Sequence, residues 1–467
     1  MEDNLVCTVC IGEEFLSQQI NSLNVQTCDY CNESFPCTRI RDISSQVENV
    51  LIKHFKRTPN SPESWQEAAL RDKEIDYEWY RDGDPLLDVI CEILQVNQQI
   101  AEDVLELLPE KSTYDDFDEC AHDESAHYID SRNVDPEWEA MWRNLETSIK
   151  SEARFFNQTA TQVLDEVFNN VGDLKTHVGS PAIVAAGPKT TIEYLYRARV
   201  HRDDFSLQKT LSSPDTELAP PPSYLASAGR MNPRGISCFY GAIEQSTAIS
   251  EVRPFVGSYV VVGKFEIIRP LKLIDISALR DIRANGSLFD SDYYRAEQQA
   301  IFLETLSNQI SRPVQPHEAE LEYLTTQLVA EYLGVKWDGI IFSSSQTATP
   351  SKNIVLFQQA SKVAIIDKEP YSDVKVKLFE IDEDSRYFSP TVTRMVFEST
   401  SPSIKTEGNK PPEHQINIDE SSSNERVDTL KIDGKKITVE VIKGVNYTSE
   451  SHEVIDYCFT YNEDELF

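Results

Sequence analysis

The chain has 467 residues, of which 40% are hydrophobic and 26% are charged, proportions typical of a globular protein with two or three domains. Its formal net charge of −34 would repel a phosphate backbone, so general nucleic-acid binding is disfavoured. No apolar run is long enough to span a bilayer and the first residues lack a secretory signal pattern, which together predict a cytosolic protein.

Four of the nine cysteines are spaced as two close pairs near the start of the chain. Cys7 and Cys10 form one C-x2-C pair and Cys28 and Cys31 form the other, with 17 residues between the pairs. Each tight turn would present two sulfurs to one ion, so the spacing predicts a structural zinc site within residues 1–38. The alternative is four reduced thiols in a mobile terminus, and Cys37 competes as a substitute ligand.

Residues 39–171 have the periodicity of helices and are expected to form a helical domain. Side chains that are apolar, apart from His54, recur at helical spacing along four stretches: Val47, Val50, Leu51 and His54; Leu86, Leu87, Ile90, Ile93 and Leu94; Ile100, Val104, Leu107 and Leu108; Trp142, Leu145, Ile149, Phe155 and Phe156. The acidic run 115–119 is interpreted as solvated surface. Glycines and prolines over 172–190 predict a linker.

A loop, a strand and a helix are predicted in succession over Gly229–Pro254. A strand over Tyr194–Val200 precedes them and carries Arg197 and Arg199 on one alternating face. Three side chains of the 229–254 segment could face one cleft: Arg230 from the loop, Tyr240 from the strand and Glu251 from the helix.

The second half of the chain adds a helix over Tyr323–Leu333 and strands within 337–345 and 353–357. Residues 398–423 are polar and contain prolines, which predicts a flexible linker. Alternating apolar residues on both sides of Asp433-Gly434 predict a β-hairpin over Thr429–Tyr447.

Several motifs of this sequence occur together in the order in which they occur in the RES domain, which is named for its Arg, Glu and Ser. They are Y-R-A-R (196–199), G-R-M-N-P (229–233), Y-G-A (240–242), E-V-R-P (251–254), D-G-I-I-F-S-S-S (338–345) and N-I-V-L-F (353–357). We expect a RES-like catalytic domain over 190–365 and a C-terminal extension with a linker and hairpin over 366–467.

The resemblance implies a fold of the α+β class. A helical N-terminal region with a zinc ribbon-like start would be followed by the split β-sheet of ADP-ribosyltransferases. Some longer RES proteins have a HEPN-like N-terminal region, and residues 39–171 are similar to it in their helical pattern. HEPN ribonucleases place an Arg four to six residues from a His, and His54, His122, His127 and His177 have no such upstream Arg. Ribonuclease activity is therefore not expected.

The resemblance also implies that NAD+ is the substrate and that its nicotinamide glycosidic bond is cleaved, by phosphate (NAD+ phosphorylase) or water (glycohydrolase). The dinucleotide motif G-x-G-x-x-G is absent, which fits consumption of NAD+ rather than hydride transfer. Glu251 would stabilise the oxocarbenium-like ribose, Arg197 would hold the diphosphate and Ser344 would bind the ribose or the amide.

Four further residues are candidate substrate ligands. Arg230 would bind phosphate and Tyr240 would stack on nicotinamide, whereas Arg199 and Asn353 are weaker candidates. Ser343 and Ser345 flank Ser344, so the family serine could be displaced by one position. Without the resemblance, Arg197 would be read as a salt-bridged surface residue, Glu251 as part of a wet helix face and Tyr240 as core.

Two other functions remain open from the sequence. The same site could transfer ADP-ribose to a protein, or the chain could be an inactive zinc-bearing interaction scaffold, although Arg197 and Glu251 are intact. Because destruction of free NAD+ is toxic, proteins of this type look like toxins restrained by an antitoxin, or defence effectors; an antitoxin or regulatory protein is thus an expected partner.

Overall fold

The computed structural model describes residues 3–71, 77–108, 125–131, 134–312, 314, 319–347, 349–365, 371–382, 385–396, 426–446, 449, 451, 452 and 454. The elements of the first part of the chain are β1 (Leu5–Cys7), α1 (Glu14–Ile20), β2 (Val25–Thr27), β3 (Ser34–Arg39), α2 (Ile40–His54), β4 (Phe55–Arg57), α3 (Ser64–Arg71), β5 (Asp84–Pro85), α4 (Leu86–Leu94), α5 (Gln98–Glu106), β6 (His127–Asp130), α6 (Pro136–Thr147), a π-helical turn (Ser148–Glu152) and α7 (Gln158–Val167).

The remaining elements mix strands and helices. They are β7 (Ile183–Ala186), β8 (Tyr194–His201), α8 (Asp204–Ser212), α9 (Pro214–Glu217), β9 (Phe239–Ala242), α10 (Gln245–Glu251), β10 (Tyr259–Ile267), β11 (Leu271–Asp275), α11 (Ser291–Ser311), α12 (Ala319–Leu333), β12 (Gly339–Ser343), β13 (Lys352–Leu356), β14 (Val363–Ala364), β15 (Tyr371–Asp382), β16 (Ser385–Val396) and β17 (Leu430–Val441). A mixture of helix and sheet is consistent with the predicted α+β class.

The chain divides into two compact units, each built from two segments. Unit 1 comprises Met1–Ala182 and Ala278–Gln309, and unit 2 comprises Ile183–Ser277 and Ile310–Phe467. The second segment of unit 1, which contains most of α11, therefore comes from between two strands of unit 2.

Unit 1 surrounds an apolar core provided mainly by α2, α4 and α5. The predicted apolar faces of these three helices are buried at Val47, Leu51, Leu86, Ile90, Ile100 and Val104. Two small sheets accompany the helices, in the strand orders β1-β3-β2 and β4-β6-β5. Helical periodicity thus located the core, whereas the short strands have too few residues to show an alternating pattern.

The predicted helical face from Trp142 to Phe156 is wrong at its end. Trp142, Leu145 and Ile149 are buried, but Phe155 and Phe156 are exposed. The helix has already ended in the π-helical turn, and the backbone of Phe156 adopts a left-handed conformation with φ of 59°. A new helix then starts, because the side chain of Asn157 accepts a hydrogen bond from the backbone N–H of Ala160 and caps α7.

A nine-stranded sheet forms the centre of unit 2, in the order β14-β17-β10-β8-β9-β13-β12-β11-β7. Antiparallel pairing predominates, and only β11 with β12 and β14 with β17 run parallel among these strands. Strands β8 and β10 pair along eight residues of each strand, whereas β8 and β9 share the single pair Tyr196 and Ala242. The ladder is therefore nearly interrupted between β8 and β9.

Two predictions from turn-forming residues are wrong. The 172–190 linker contains β7, which pairs with β11 at the edge of the main sheet. The 429–447 hairpin is one strand, β17, which pairs with β10. Asp433 and Gly434 do not reverse the chain; they lie where the β10–β17 register shifts, so they form an irregularity within the strand. Tyr447 lies outside the described residues.

A hairpin does occur earlier in the C-terminal region, where β15 pairs with β16. Alternating Val374, Val376 and Leu378 were a sequence signal for it.

The predicted surface run 115–119, His122 and the predicted linker 398–423 lie outside the described residues. Within the described part of the chain, no helix is both long enough and apolar enough to cross a membrane.

Replacement of Ile432 by Ala tests whether β17 belongs to the core of unit 2. Ile432 is buried and pairs with Phe265 of β10, so its truncation should lower the free energy of unfolding by about 2–5 kcal/mol. Urea unfolding followed by circular dichroism measures the loss. Exposed Lys431→Ala is the control and should cost less than about 0.5 kcal/mol. Equal, small effects of both variants would contradict a docked β17.

Candidate active site

Glu251, Ser344 and Asn353 are brought together in unit 2 by direct hydrogen bonds. The Ser344 hydroxyl donates to Glu251 Oε1 at 2.5 Å, and the Asn353 amide Nδ2 donates to the same oxygen at 2.6 Å. Asn353 is buried, whereas Glu251 is exposed, so a solvent-exposed carboxylate accepts a hydrogen bond from a buried amide. We call these three residues the Glu251 cluster.

The strand register explains why these distant sequence positions meet. Tyr196 of β8 pairs with Ala242 of β9, Ala242 pairs with Asn353 of β13, and Asn353 pairs with Phe342 of β12. Paired residues share one face of a sheet, so Asn353 points to the side on which α10 lies. Glu251 is the last residue of α10, and Ser344 directly follows β12.

Two residues that the sequence analysis missed connect the ends of this cluster. The Gln346 backbone N–H donates to Ser344 Oγ at 3.2 Å, and Arg253 Nε donates to Gln346 Oε1 at 3.0 Å. Arg253 follows Glu251 by two positions and has φ of 44°, a conformation that costs a non-glycine residue about 1–2 kcal/mol. The motif E-V-R-P was the available signal. Glu251, Ser344, Gln346 and Arg253 thus form a closed ring, joined by these hydrogen bonds and by the backbone between positions 251 and 253. The ring orients the Ser344 hydroxyl toward the Glu251 carboxylate.

Arg197 lies on β8 directly after Tyr196, at the near-interruption of the sheet. Its Nη1 is buried and has no hydrogen-bond partner among the described residues. The guanidinium carbon is 5.0 Å from the centre of the Phe239 ring. Burial, and then the nearby charge of Arg199, lower the pKa of Arg197 to about 10, so the side chain is still a cation at neutral pH.

Arg197 does not hydrogen-bond to the Glu251 cluster in the described part of the structure. Successive side chains of a strand alternate, so Arg197 faces the side opposite to Tyr196, where Phe239 lies. Arg197 and the Glu251 cluster are therefore on opposite faces of the sheet, beside the single residue pair that joins β8 to β9.

Arg199 and Arg230 are both engaged by protein groups. Arg199 Nη1 donates to Glu217 at its backbone oxygen (2.7 Å) and at Oε2 (2.9 Å). Arg230 Nη1 donates to the backbone oxygen of Ile310, and its Nη2 to that of Arg312 at 2.9 Å. These carbonyls lie at the C-terminal end of α11, where a cation also complements the helix dipole.

Tyr240 organises the loop that precedes its strand. Its hydroxyl donates to Asn232 Oδ1 at 2.6 Å and accepts from the Met231 backbone N–H at 3.1 Å. Burial is the main cause of a raised pKa of Tyr240, so it remains a neutral phenol at physiological pH. A side chain at Gly229 would come within 2.7 Å of the Tyr240 oxygen, which explains the glycine at this position.

Asn232, which appears in the sequence only as part of the G-R-M-N-P motif, holds the same loop together. It is buried, and its Nδ2 donates to the backbone oxygens of Ser227, Pro233 and Ile236 at 2.9 to 3.1 Å. With Tyr240 as donor to Oδ1, both ends of its amide are satisfied. The fixed loop therefore depends on a polar side chain that periodicity does not reveal.

The four cysteines of the two C-x2-C pairs form a separate cluster in unit 1. Their sulfurs all lie within 4.8 Å of one another, an arrangement that could hold a metal ion. Burial raises the pKa of Cys28, but backbone N–H donors at Cys31 and Tyr30 outweigh burial and lower it to about 7. Cys37 is outside the set: its Sγ donates to the backbone oxygens of Phe35 and Gln26.

Residues 194–377 match the family model of the RES domain, which confirms the resemblance seen in the motifs. The match starts at the first residue of β8 and includes every predicted site residue of unit 2. The RES domain family is associated with enzymes that act on NAD. The match does not extend over the N-terminal helices, so their HEPN-like character remains a prediction. No curated protein matches the chain at a significant level.

Elemental analysis of the purified full-length protein tests the cysteine cluster. We expect about one metal ion per chain, and loss of most of it in Cys10→Ser, because a cluster with three thiolates binds the ion less tightly. Cys37→Ser is the matched control: Cys37 is buried beside the cluster but is not part of it, and metal content should be unchanged. Metal loss in Cys37→Ser alone would contradict the assigned ligand set.

Proposed function

We propose that unit 2 is an enzyme that cleaves the nicotinamide glycosidic bond of NAD+. One observation carries the proposal: a solvent-accessible carboxylate, Glu251, has one oxygen fixed by Ser344 and Asn353 within a RES domain. The near-interruption of the sheet between β8 and β9 supports the split β-sheet of ADP-ribosyltransferases as the underlying fold.

Glu251 would stabilise the transition state. Nicotinamide leaves a cationic ring as a neutral molecule, so no acid is needed to protonate it, and positive charge develops on the ribose. Because Ser344 and Asn353 both donate to Oε1, the second oxygen of Glu251 is available to the ribose, either at a hydroxyl or near the anomeric carbon. The donors keep the carboxylate oriented before the reaction, which avoids a reorganisation cost.

Arg197 is the proposed ligand of the diphosphate. A buried guanidinium N–H without a partner costs about 1–3 kcal/mol, and a phosphate oxygen would supply the missing acceptor in a charge-assisted hydrogen bond. The diphosphate of NAD+ is separated from the nicotinamide carbon by one ribose. Arg197 and the Glu251 cluster are on opposite faces of the sheet, so the ribose would have to pass the sparsely paired junction of β8 and β9 for NAD+ to contact both.

The remaining candidates have more limited proposed roles. Tyr240 would shape the nicotinamide pocket as part of the fixed loop, because its hydroxyl is already satisfied by Asn232 and Met231. Arg230 and Arg199 would act indirectly, since their guanidinium groups bind Ile310, Arg312 and Glu217. The geometry thus does not favour Arg230 as the ligand of an incoming phosphate, and the acceptor, water or phosphate, is decided by the experiment below.

We further propose that the four-cysteine cluster holds a structural zinc ion. A regular tetrahedron with zinc–sulfur bonds of about 2.3 Å has sulfurs about 3.8 Å apart. Cys7 Sγ is 3.7 Å from Cys31 Sγ, and Cys28 Sγ is 3.8 Å from Cys10 Sγ. Four thiolates leave no open position, so the ion would stabilise the end of β1 and the turn between β2 and β3, and would take no part in catalysis.

An unrestrained enzyme of this kind would exhaust the NAD+ of its own cell. We therefore propose a toxin or defence effector whose activity is held by an antitoxin or another regulatory protein. Transfer of ADP-ribose to a protein uses the same carboxylate and the same diphosphate ligand, and differs only in the acceptor that attacks the anomeric carbon.

Measurement of NAD+ consumption by the purified protein, with and without phosphate, tests the function. We expect loss of NAD+ and release of nicotinamide, and a reduction of at least about 100-fold in kcat for Glu251→Gln, because the amide lacks the negative charge. Glu244→Gln is the matched control: Glu244 is exposed at the opposite end of α10 and makes no capping hydrogen bond. Its activity should equal that of the unmodified protein.

The products distinguish the acceptors. ADP-ribose-1″-phosphate formed only with phosphate establishes a phosphorylase, ADP-ribose without phosphate establishes hydrolysis, and label retained on protein establishes transfer. Equal activity of Glu251→Gln and Glu244→Gln would remove Glu251 from the mechanism. Intact NAD+ under all conditions would contradict the enzyme assignment.

Replacement of Arg197 by Lys tests the diphosphate ligand. Lysine keeps the charge but cannot make a two-point contact, so we expect KM for NAD+ to rise about 10- to 100-fold with a smaller change in kcat. Arg199→Lys is the control on the same strand, since its guanidinium is already bound by Glu217. If both variants raised KM equally, a general charge effect would replace the specific role of Arg197.

A further inference from the structure

Arg253 lies next to the Glu251 cluster and keeps most of its hydrogen-bonding capacity. It follows Glu251 by two positions, it is exposed, and its Nε donates to Gln346 Oε1 at 3.0 Å. Among the described residues, Nη1 and Nη2 have no hydrogen-bond partner and no carboxylate forms an ion pair with the guanidinium. The Nε side of the group is therefore anchored, whereas the two terminal nitrogens are available to a ligand.

The backbone and the anchor both favour a role for the Arg253 side chain. The residue has φ of 44°, a left-handed conformation that costs a non-glycine residue free energy and that glycine would adopt more readily. Strain of this kind is found mainly at functional sites. The anchor, the Gln346 amide, is neutral, so it fixes the guanidinium without compensating its charge.

The other arginines considered for substrate binding differ from Arg253 in face or in partners. Arg197 lies on the opposite face of the sheet from the Glu251 cluster. Arg199 and Arg230 bind a carboxylate and backbone carbonyls of the protein itself. Arg253 is joined to the Glu251 cluster by hydrogen bonds and has both terminal nitrogens free of protein partners within the described part of the chain.

A phosphate group is the ligand that this arrangement suits. Two free guanidinium nitrogens can donate in parallel to two oxygens of one phosphate, with charge assistance. The proposed reaction offers two sources of such a group: the diphosphate of NAD+ and, in a phosphorylase, the incoming inorganic phosphate. Either anion has to approach the negative charge of Glu251, and an uncompensated cation two positions away reduces the repulsion.

We propose that Arg253 binds a phosphate group through Nη1 and Nη2 at the edge of the Glu251 cluster. Gln346 fixes the guanidinium through Nε, and its backbone N–H donates to Ser344 Oγ at 3.2 Å, so the phosphate ligand and the catalytic carboxylate belong to one hydrogen-bonded ring. The inference rests on the proposed function for the source of the phosphate, which the two arms of the experiment distinguish.

Calorimetric titration of the full-length protein tests this role, with inorganic phosphate in one arm and, in the other, NAD+ added to protein that carries Glu251→Gln and turns over slowly. Arg253→Gly removes the guanidinium and leaves a residue that adopts φ of 44° without strain, so folding should be retained. We expect it to weaken binding of one of the two ligands about 10- to 100-fold, the loss of a charge-assisted contact. Lys336→Ala is the control, an exposed cation at the opposite end of β12 from Ser344.

The outcomes separate the two sources from each other and from the proposed function. Weaker phosphate binding with unchanged NAD+ binding identifies the incoming phosphate as the ligand, and weaker NAD+ binding identifies the diphosphate. Equal affinities in Arg253→Gly and Lys336→Ala overturn the proposal, even if Arg253→Gly lowers kcat, because a purely structural role predicts that result. Failure of the Glu251→Gln protein to bind NAD+ would contradict the proposed function, and the phosphate arm would still decide the role of Arg253. Binding of neither ligand overturns both.

Discussion

The catalytic proposal depends on the two hydrogen bonds that Glu251 Oε1 accepts from Ser344 and Asn353. The two donors differ in how they are held. Asn353 is buried in the middle of a sheet and is fixed by its strand, whereas Ser344 lies just beyond a strand and is fixed by Gln346 and Arg253. The carboxylate is thus oriented by one donor on a strand and by one on a loop.

Local backbone strain at Arg253 also contributes to this arrangement. Arg253 occupies a left-handed conformation that its own side-chain type does not favour, and Pro254 follows it. The strained turn brings the Arg253 side chain back to the loop that carries Ser344. Strain of this kind persists only where surrounding contacts compensate for it, and here the compensation is the hydrogen-bonded ring next to Glu251.

The RES motifs identified Glu251, Ser344 and Asn353 as candidate site residues, although they did not predict the hydrogen bonds that join the three. The sequence predicted the helical core of unit 1 because buried faces of long helices leave a periodic pattern. It could not predict Arg230 as a structural residue, since the carbonyls that bind it are backbone atoms about 80 positions away and leave no mark in the sequence. Local turn signals failed at Asp433-Gly434 for a related reason: pairing with β10 over eight residue pairs outweighed the local preference of two residues.

The loop between Gly229 and Tyr240 shows how one polar network can serve a site without touching a ligand. Arg230 is bound at the end of α11, and two side chains of α12 bind the loop backbone: Thr326 donates to the Arg230 oxygen at 2.6 Å and Gln327 to the Gly229 oxygen at 2.8 Å. Asn232 and Tyr240 complete the network from within. Because these donors and acceptors satisfy one another, they have little hydrogen-bonding capacity left for substrate.

Arg197 is the opposite case, and the contrast is the strongest argument for its role. In a folded protein, a buried guanidinium N–H normally finds a carbonyl or a carboxylate, and even the less buried Arg199 and Arg230 of this unit bind such acceptors. Arg197 Nη1 has none among the described residues, and the cost of its desolvation is reflected in a pKa lowered to about 10. In the proposed complex an anionic ligand would regain that cost on binding, because a phosphate oxygen of NAD+ would supply the acceptor that Nη1 lacks.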